Sequence, residues 1–158
     1  MDHVFWVIPN VLAGRPGPNQ IPWNLAQLYA GGIRSILTLN SGVDVDPSII
    51  SAAAIAHQHI PFPKGEPPDA DAFVIGSGAV PSAYEWFRAR VVHGPVLVHC
   101  SHGKDRTGLF MAYALMRHHG LEPRSAIAEL KRMRPNALSA EGWSEFAHDL
   151  LTVLSAAS

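Results

Sequence analysis

The run Val96-Leu97-Val98-His99-Cys100-Ser101-His102-Gly103-Lys104-Asp105-Arg106-Thr107-Gly108 constrains this chain more than any other stretch. It opens on a short β-branched apolar segment and leads into residues 109–116, an apolar segment that reads as a buried helix. A strand ending in a loop that opens a helix collects backbone N–H groups and the positive end of the helix dipole around an anion. The only cysteine of the chain and an arginine stand six positions apart inside that loop. The thiolate is the nucleophilic form of cysteine, and electropositive loops at helix N-termini favour it. The pattern suits a tetrahedral oxyanion held against a sulfur nucleophile. A lone cysteine after a strand is more often a small buried hydrophobe. The register of Gly103, Arg106 and Thr107 with Cys100 is what separates the two readings.

The rest of the chain supplies a scaffold of alternating strands and helices. Residues 4–8 and 11–13 read as short strands around the Pro9-Asn10 turn, followed by the loop Gly14-Arg15-Pro16-Gly17-Pro18-Asn19. Residues 22–30 suit a helix with proline in its first turn, ended by Gly31-Gly32, and residues 33–39 the next strand. A second helix is expected over 47–58 and a short strand over 59–62. Residues 63–80, rich in proline, glycine and acid, read as one long irregular segment of the kind that tends to be functional. Helices are expected over 81–92, 107–118 and 122–134. In the last helix Trp143, Phe146, Ala147, Leu150, Leu151 and Leu154 follow a 3.6-residue period. Such alternation predicts a three-layer α/β fold with a largely parallel central sheet flanked by helices. Ligands of such sheets sit beyond the carboxyl ends of the strands, where Cys100 falls.

Composition narrows the function classes. With 158 residues, 47% of them hydrophobic, the chain is read as one domain over 1–158 with a real core. A net charge of −1 argues against a nucleic-acid or membrane-surface binder. No apolar run is long enough for a transmembrane helix, and Met1-Asp2-His3 lacks the positive start of a signal peptide. One cysteine excludes an internal disulfide and fits a reducing, cytoplasmic setting. The histidines His57, His59, His118 and His119 show no metal-ligand spacing, so neither a metal nor another cofactor is expected.

His99, Cys100, Arg106 and Thr107, as His-Cys-x5-Arg-Thr, resemble the signature of cysteine-dependent phosphatases of the protein tyrosine and dual-specificity superfamily. Gly103-Lys104-Asp105-Arg106-Thr107-Gly108 is similar to its Lys-Asp-Arg subgroup. The resemblance implies a dual-specificity-phosphatase-like fold and a phosphorylated protein, small molecule or lipid head group as substrate. It also implies that Cys100 attacks phosphorus to form a thiophosphate. Arg106 would clamp two phosphate oxygens as a planar fork, which lysine cannot reproduce. Ser101, His102, Gly103, Lys104, Asp105 and Thr107 complete the expected phosphate-binding loop. The Thr107 hydroxyl would ease departure of the sulfur, and it also suits a plain helix cap. His99 would orient the loop through a backbone contact. Arg15, Asn40 and Lys64 follow strand ends and could share its rim. Residues 134–139 would fold back near the site, as the corresponding stretch does in relatives.

Departure of an alkoxide or phenoxide needs a proton, and the resemblance implies an acid on a loop about thirty positions before the cysteine. No aspartate directly follows Ile60-Pro61-Phe62-Pro63. Asp69, after two prolines that stiffen the loop, is the first choice, with Asp71, Glu66 and Asp105 as alternatives. Three other functions compete with a protein phosphatase. They are an inositol phosphate or phosphoinositide phosphatase, favoured by His102 and Lys104, a rhodanese-type sulfurtransferase, and an inactive phosphate-binding module.

Overall fold

A computed structural model describes residues 1–157. Five strands form one sheet: β1 (Phe5–Ile8), β2 (Leu12–Arg15), β3 (Ser35–Thr38), β4 (Ala56–His59) and β5 (Val96–His99). Their spatial order is β1-β2-β5-β3-β4, and only the β1–β2 hairpin is antiparallel. The helices are α1 (Leu25–Ala30), α2 (Pro47–Ala52), α3 (Ala72–Val91), α4 (Arg106–His119), α5 (Pro123–Met133) and α6 (Trp143–Ala156). The expected three-layer α/β architecture is what forms. A central strand of a parallel sheet is covered on both faces, so it reads as continuous apolar sequence. In β5, Val96 and Val98 join the core built with α3, α4, α5 and α6, whereas Leu97 joins Ile36, Leu28 and Ile50 beneath α1 and α2. The same alternation turns His99 toward the α1 side, against the Trp23 ring, and sends Cys100 to the other core.

Helix α1 starts at Leu25 after an Asn24 cap rather than at 22, and Gly14 and Arg15 extend β2 rather than opening a loop. Three further boundaries differ from the sequence expectation. The second helix ends at Ala52 rather than at 58, because Ala54 takes a left-handed conformation with φ 63° and turns the chain. Strand β4 therefore occupies Ala56–His59 instead of 59–62, pairing Ser35 with Ala56 and Thr38 with His59. The third difference is larger. Residues 72–80 are helical, and α3 runs for 20 residues with Pro81 inside it. A proline normally marks a first turn, and two glycines just before it read as loop. Tertiary packing overrides both signals. Ala72, Gly76, Val80, Ala83, Tyr84 and Phe87 make one buried stripe. A Cβ on Gly76 would stand 2.6 Å from Leu150 of α6, so the glycine permits a close helix contact.

Candidate active site

Between β5 and α4 every carbonyl of the loop is turned outward and held. The Cys100 carbonyl accepts from His99 Nδ1 (3.0 Å), and that of Ser101 from the Gly17 N–H (2.8 Å). Arg134 donates through Nε to Gly103 (2.8 Å) and through a terminal nitrogen to His102 (3.3 Å). The Lys104 carbonyl accepts from the N–H groups of Leu138 (3.1 Å) and Gly108 (3.2 Å), and that of Asp105 from Leu109 (2.8 Å). The N–H groups of Ser101 through Thr107 donate to no acceptor among the described residues. In a planar trans peptide the N–H points opposite to the C=O. Holding six successive carbonyls outward thus leaves a row of donors for something that is not protein. Buried backbone donors are rarely left unpaired without such a purpose.

Gly103 makes the bend possible. Its φ is +69°, and a Cβ there would lie 2.9 Å from the Arg15 carbonyl group. Any other residue would both strain the backbone and push β2 away. The Thr107 hydroxyl, fully buried, donates to Cys100 Sγ at 3.2 Å. Arg106 opens α4, and a small pocket of about 70 Å³ is lined by Cys100, His102, Asp105 and Arg106 together with Lys64, Gly65, Glu66 and Trp143. The indole N–H of Trp143 donates to the Gly65 carbonyl at 2.7 Å, which ties the 63–71 loop to α6 beside the thiol.

The sequence-derived candidates divide in space. Cys100, His102, Asp105 and Arg106 line one pocket, which Lys64 and Glu66 line as well. Asp105 also accepts from the Ala140 N–H at 3.3 Å, which tethers the start of α4 to the segment before α6. Asp69 lines a separate depression with Phe73, Phe146 and Asp149, and Asp71 is an exposed residue preceding α3. Of the three candidate rim residues only Lys64 lines the pocket. Arg15 is 2% exposed and donates to the carbonyls of Ile21 (3.2 Å) and Pro22 (3.5 Å), while Asn40 accepts from the Gly42 N–H at 3.1 Å. Arg134 opens the 134–139 segment expected to fold back near the site, and it anchors two carbonyls of the loop and lies 4.0 Å from the centre of the Phe5 ring. The anchoring role itself has no signal in the sequence beyond a place after an amphipathic helix. The Arg134 guanidinium is pushed below the ordinary arginine value by burial, against the pull of Cys100.

Burial lowers His99 from the ordinary 6.5 to about 4. The unfolded chain therefore takes up this proton first, and folding stability from this group is complete above about pH 6.5 and lost as pH falls toward 4. A shift of that size corresponds to roughly 3 kcal/mol. We expect the urea midpoint to fall between pH 7 and pH 4 and the fall to flatten in His99→Asn. An equally steep fall in that variant would assign the acid sensitivity to other groups.

Comparison with known proteins agrees with the geometry. The family model described as Swiss Army Knife protein, DSP-PTPase phosphatase domain matches residues 1–152. The dual specificity protein phosphatase TpbA of Pseudomonas aeruginosa is 36% identical over 58 residues, which is 37% of this chain and 27% of that protein. The match thus spans about a quarter of the length of that relative. Among solved structures, a mouse putative dual specificity phosphatase complexed with zinc tungstate superposes with a TM-score of 0.74 at 21% identity, covering 99% of this chain and 91% of that one. Human DUSP28, in a variant form, gives 0.74 at 22% identity with full coverage of both chains. TpbA of Pseudomonas aeruginosa in complex with phosphotyrosine gives 0.70 at 20% identity, with 99% and 91% covered. These likenesses establish the fold, and the matched family model establishes membership: the chain belongs to the Swiss Army Knife DSP-PTPase phosphatase domain family.

Proposed function

We propose that this protein hydrolyses phosphomonoesters through a cysteinyl-phosphate intermediate, without a metal ion. The observation that carries the reading is the outward-held row of carbonyls, with seven N–H groups unpaired among the described residues, in the loop that bears Cys100 and Arg106. Such preorganised donors stabilise the equatorial charge of a transferring phosphoryl group at no reorganisation cost. Sγ attacks phosphorus as the ester oxygen leaves with a proton. Water then displaces the sulfur, which the Thr107 hydroxyl stabilises as it departs. Hydrolysis of p-nitrophenyl phosphate in excess EDTA tests the reading, together with thiocyanate formation from thiosulfate and cyanide. Turnover of the ester alone supports it. Thiocyanate alone would mark a sulfurtransferase, and binding of orthovanadate with neither activity a binding module.

The acid is best assigned to Glu66. Its residue lines the pocket, whereas Asp69 faces another depression and Asp105 is engaged by the Ala140 N–H. A positioned acid usually contributes about 10²–10⁴-fold. Glu66→Gln should slow phosphotyrosine hydrolysis at least about tenfold and leave an aryl phosphate with a very acidic phenol nearly unaffected. Asp69→Asn should change both by less than about twofold. The reverse pattern would return the role to Asp69.

Phosphotyrosine is the first substrate class to assay, since TpbA has been crystallised with it. A second class has its own support. Lys64 lines the same pocket as Cys100, and His102 adds a further polar group. That lining suits a substrate with a second anionic group, such as an inositol phosphate or a phosphoinositide head group. A ratio of kcat/KM above one for inositol polyphosphates over a phosphotyrosine peptide would select it. No helix among the described residues is long and apolar enough to cross a membrane, and a lone nucleophilic thiol suits a reducing compartment such as the cytoplasm.

A further inference from the structure

Behind the loop, on the α1 side of the sheet, lies a row of polar side chains, the buried Thr38 and His99 and the half-buried His57, that the reaction does not itself use. Thr38 Oγ1 is 2.8 Å from His99 Nε2 and 2.8 Å from His57 Nε2, and His99 Nδ1 is 3.0 Å from the Cys100 carbonyl. The parallel register sets this up by pairing Thr38 with His99 in β5 and Ile36 with His57 in β4. We propose that Thr38 and His57 are positioning residues for the nucleophile loop, fixing the tautomer of His99 through a one-way row of hydrogen bonds that ends on the Cys100 carbonyl.

Donor and acceptor chemistry leaves one arrangement. A carbonyl oxygen only accepts, so His99 Nδ1 carries the hydrogen. His99 is fully buried and neutral, so its Nε2 presents a lone pair. The single Thr38 hydroxyl proton must go to that lone pair, and Thr38 Oγ1 then accepts from His57 Nε2–H. His57 is half-buried, and burial and the neighbouring His59 both keep it below the ordinary histidine value. The other charged groups facing His99 are Asp44 and Arg15, which act on it in opposite directions. Each link orients the next, as a histidine tautomer is set by the bond its other nitrogen makes.

The consequence falls on the nucleophile. The other carbonyl anchors of the loop come from groups with one fixed donor pattern, the backbone N–H groups and Arg134. The Cys100 anchor alone is a ring that can present a lone pair instead of a hydrogen. In the wrong tautomer, Nδ1 would face the carbonyl lone pairs, the Cys100–Ser101 peptide would lose its tether, and the Ser101 N–H would lose its aim. The proposal rests on the phosphatase reading only for its effect on turnover.

The test uses the whole chain with Thr38→Val, Thr38→Ser, His57→Leu and His57→Gln. The ring nitrogens of His99 are read by 15N NMR, and Cys100 by its rate of alkylation with iodoacetate at pH 6. The wild type should show the Nδ1–H tautomer alone. Thr38→Val should give a mixture and slow alkylation about fivefold, the worth of one neutral hydrogen bond. It should lower kcat by a similar factor with KM nearly constant. Thr38→Ser should restore both readings, and His57→Gln, whose amide N–H can still donate to Thr38, should stay near wild type while His57→Leu moves toward Thr38→Val. A folded Thr38→Val with a pure Nδ1–H tautomer and wild-type alkylation would overturn the proposal. If Thr38→Val does not fold, wild-type values in His57→Leu would overturn it instead. Neither NMR nor alkylation depends on turnover. A protein that hydrolyses no ester but shows these shifts would therefore sink the phosphatase reading and leave the positioning role standing.

Discussion

Replacing Cys100 by serine should abolish turnover while oxyanion binding survives. The two properties rest on different atoms. Turnover needs a sulfur nucleophile, and serine without a general base is a weak one. None of the groups that contact Cys100 in the structure is such a base: Thr107 donates its hydroxyl to Sγ, and the His99 ring bonds to the main-chain carbonyl. Removing a nucleophile that acts in a covalent mechanism costs at least about 10⁴-fold. The proposed anion cradle consists of backbone N–H groups and Arg106, none of which changes. We therefore expect activity against p-nitrophenyl phosphate to drop below detection in Cys100→Ser. Its affinity for phosphate or tungstate, measured by calorimetry, should stay within about fivefold of wild type. Joint loss of activity and anion binding would instead identify Cys100 as a structural residue of the core.

Arg106→Lys should also be severely impaired, although the charge is kept. Arg106 starts α4, so its backbone is set by the helix, and the residue lines the same pocket as Cys100. A planar fork can bond two equatorial oxygens at once, and an ammonium is a point charge that cannot. Loss of one such transition-state donor set costs about 10²–10³-fold in kcat. Ground-state binding of phosphate should weaken far less than kcat falls, because the fork matches the flattened geometry of the transferring group. Steady-state kinetics of Arg106→Lys and Arg106→Ala decide this. Retention of more than a tenth of kcat in the lysine variant would show that charge alone suffices there.

Sequence alone carried the centre of the site because that centre is local. Cys100, Gly103, Arg106 and Thr107 lie within eight residues, and a strand–loop–helix connection of that length has few conformations. The periodic face of α6 and the apolar strand β5 were legible for the same reason, since each pattern is read over a single element. Three-dimensional packing decided the rest. Residues 72–80 contain glycines and precede a proline, so their local propensity points away from helix, and only contact with α6 across Gly76 makes helix the better state. On the 63–71 loop Glu66 lines the pocket and Asp69 does not, and that loop is tied by the bond from Trp143, far along the chain, to the Gly65 carbonyl. Arg134 lies 31 residues from the Gly103 carbonyl it holds, and Thr38 lies 61 residues from the His99 ring it bonds. A motif specifies groups whose spacing is fixed by the chain itself. Groups whose spacing is fixed by hydrogen bonds between separate elements leave no pattern in the sequence, and the tertiary structure alone assembles them.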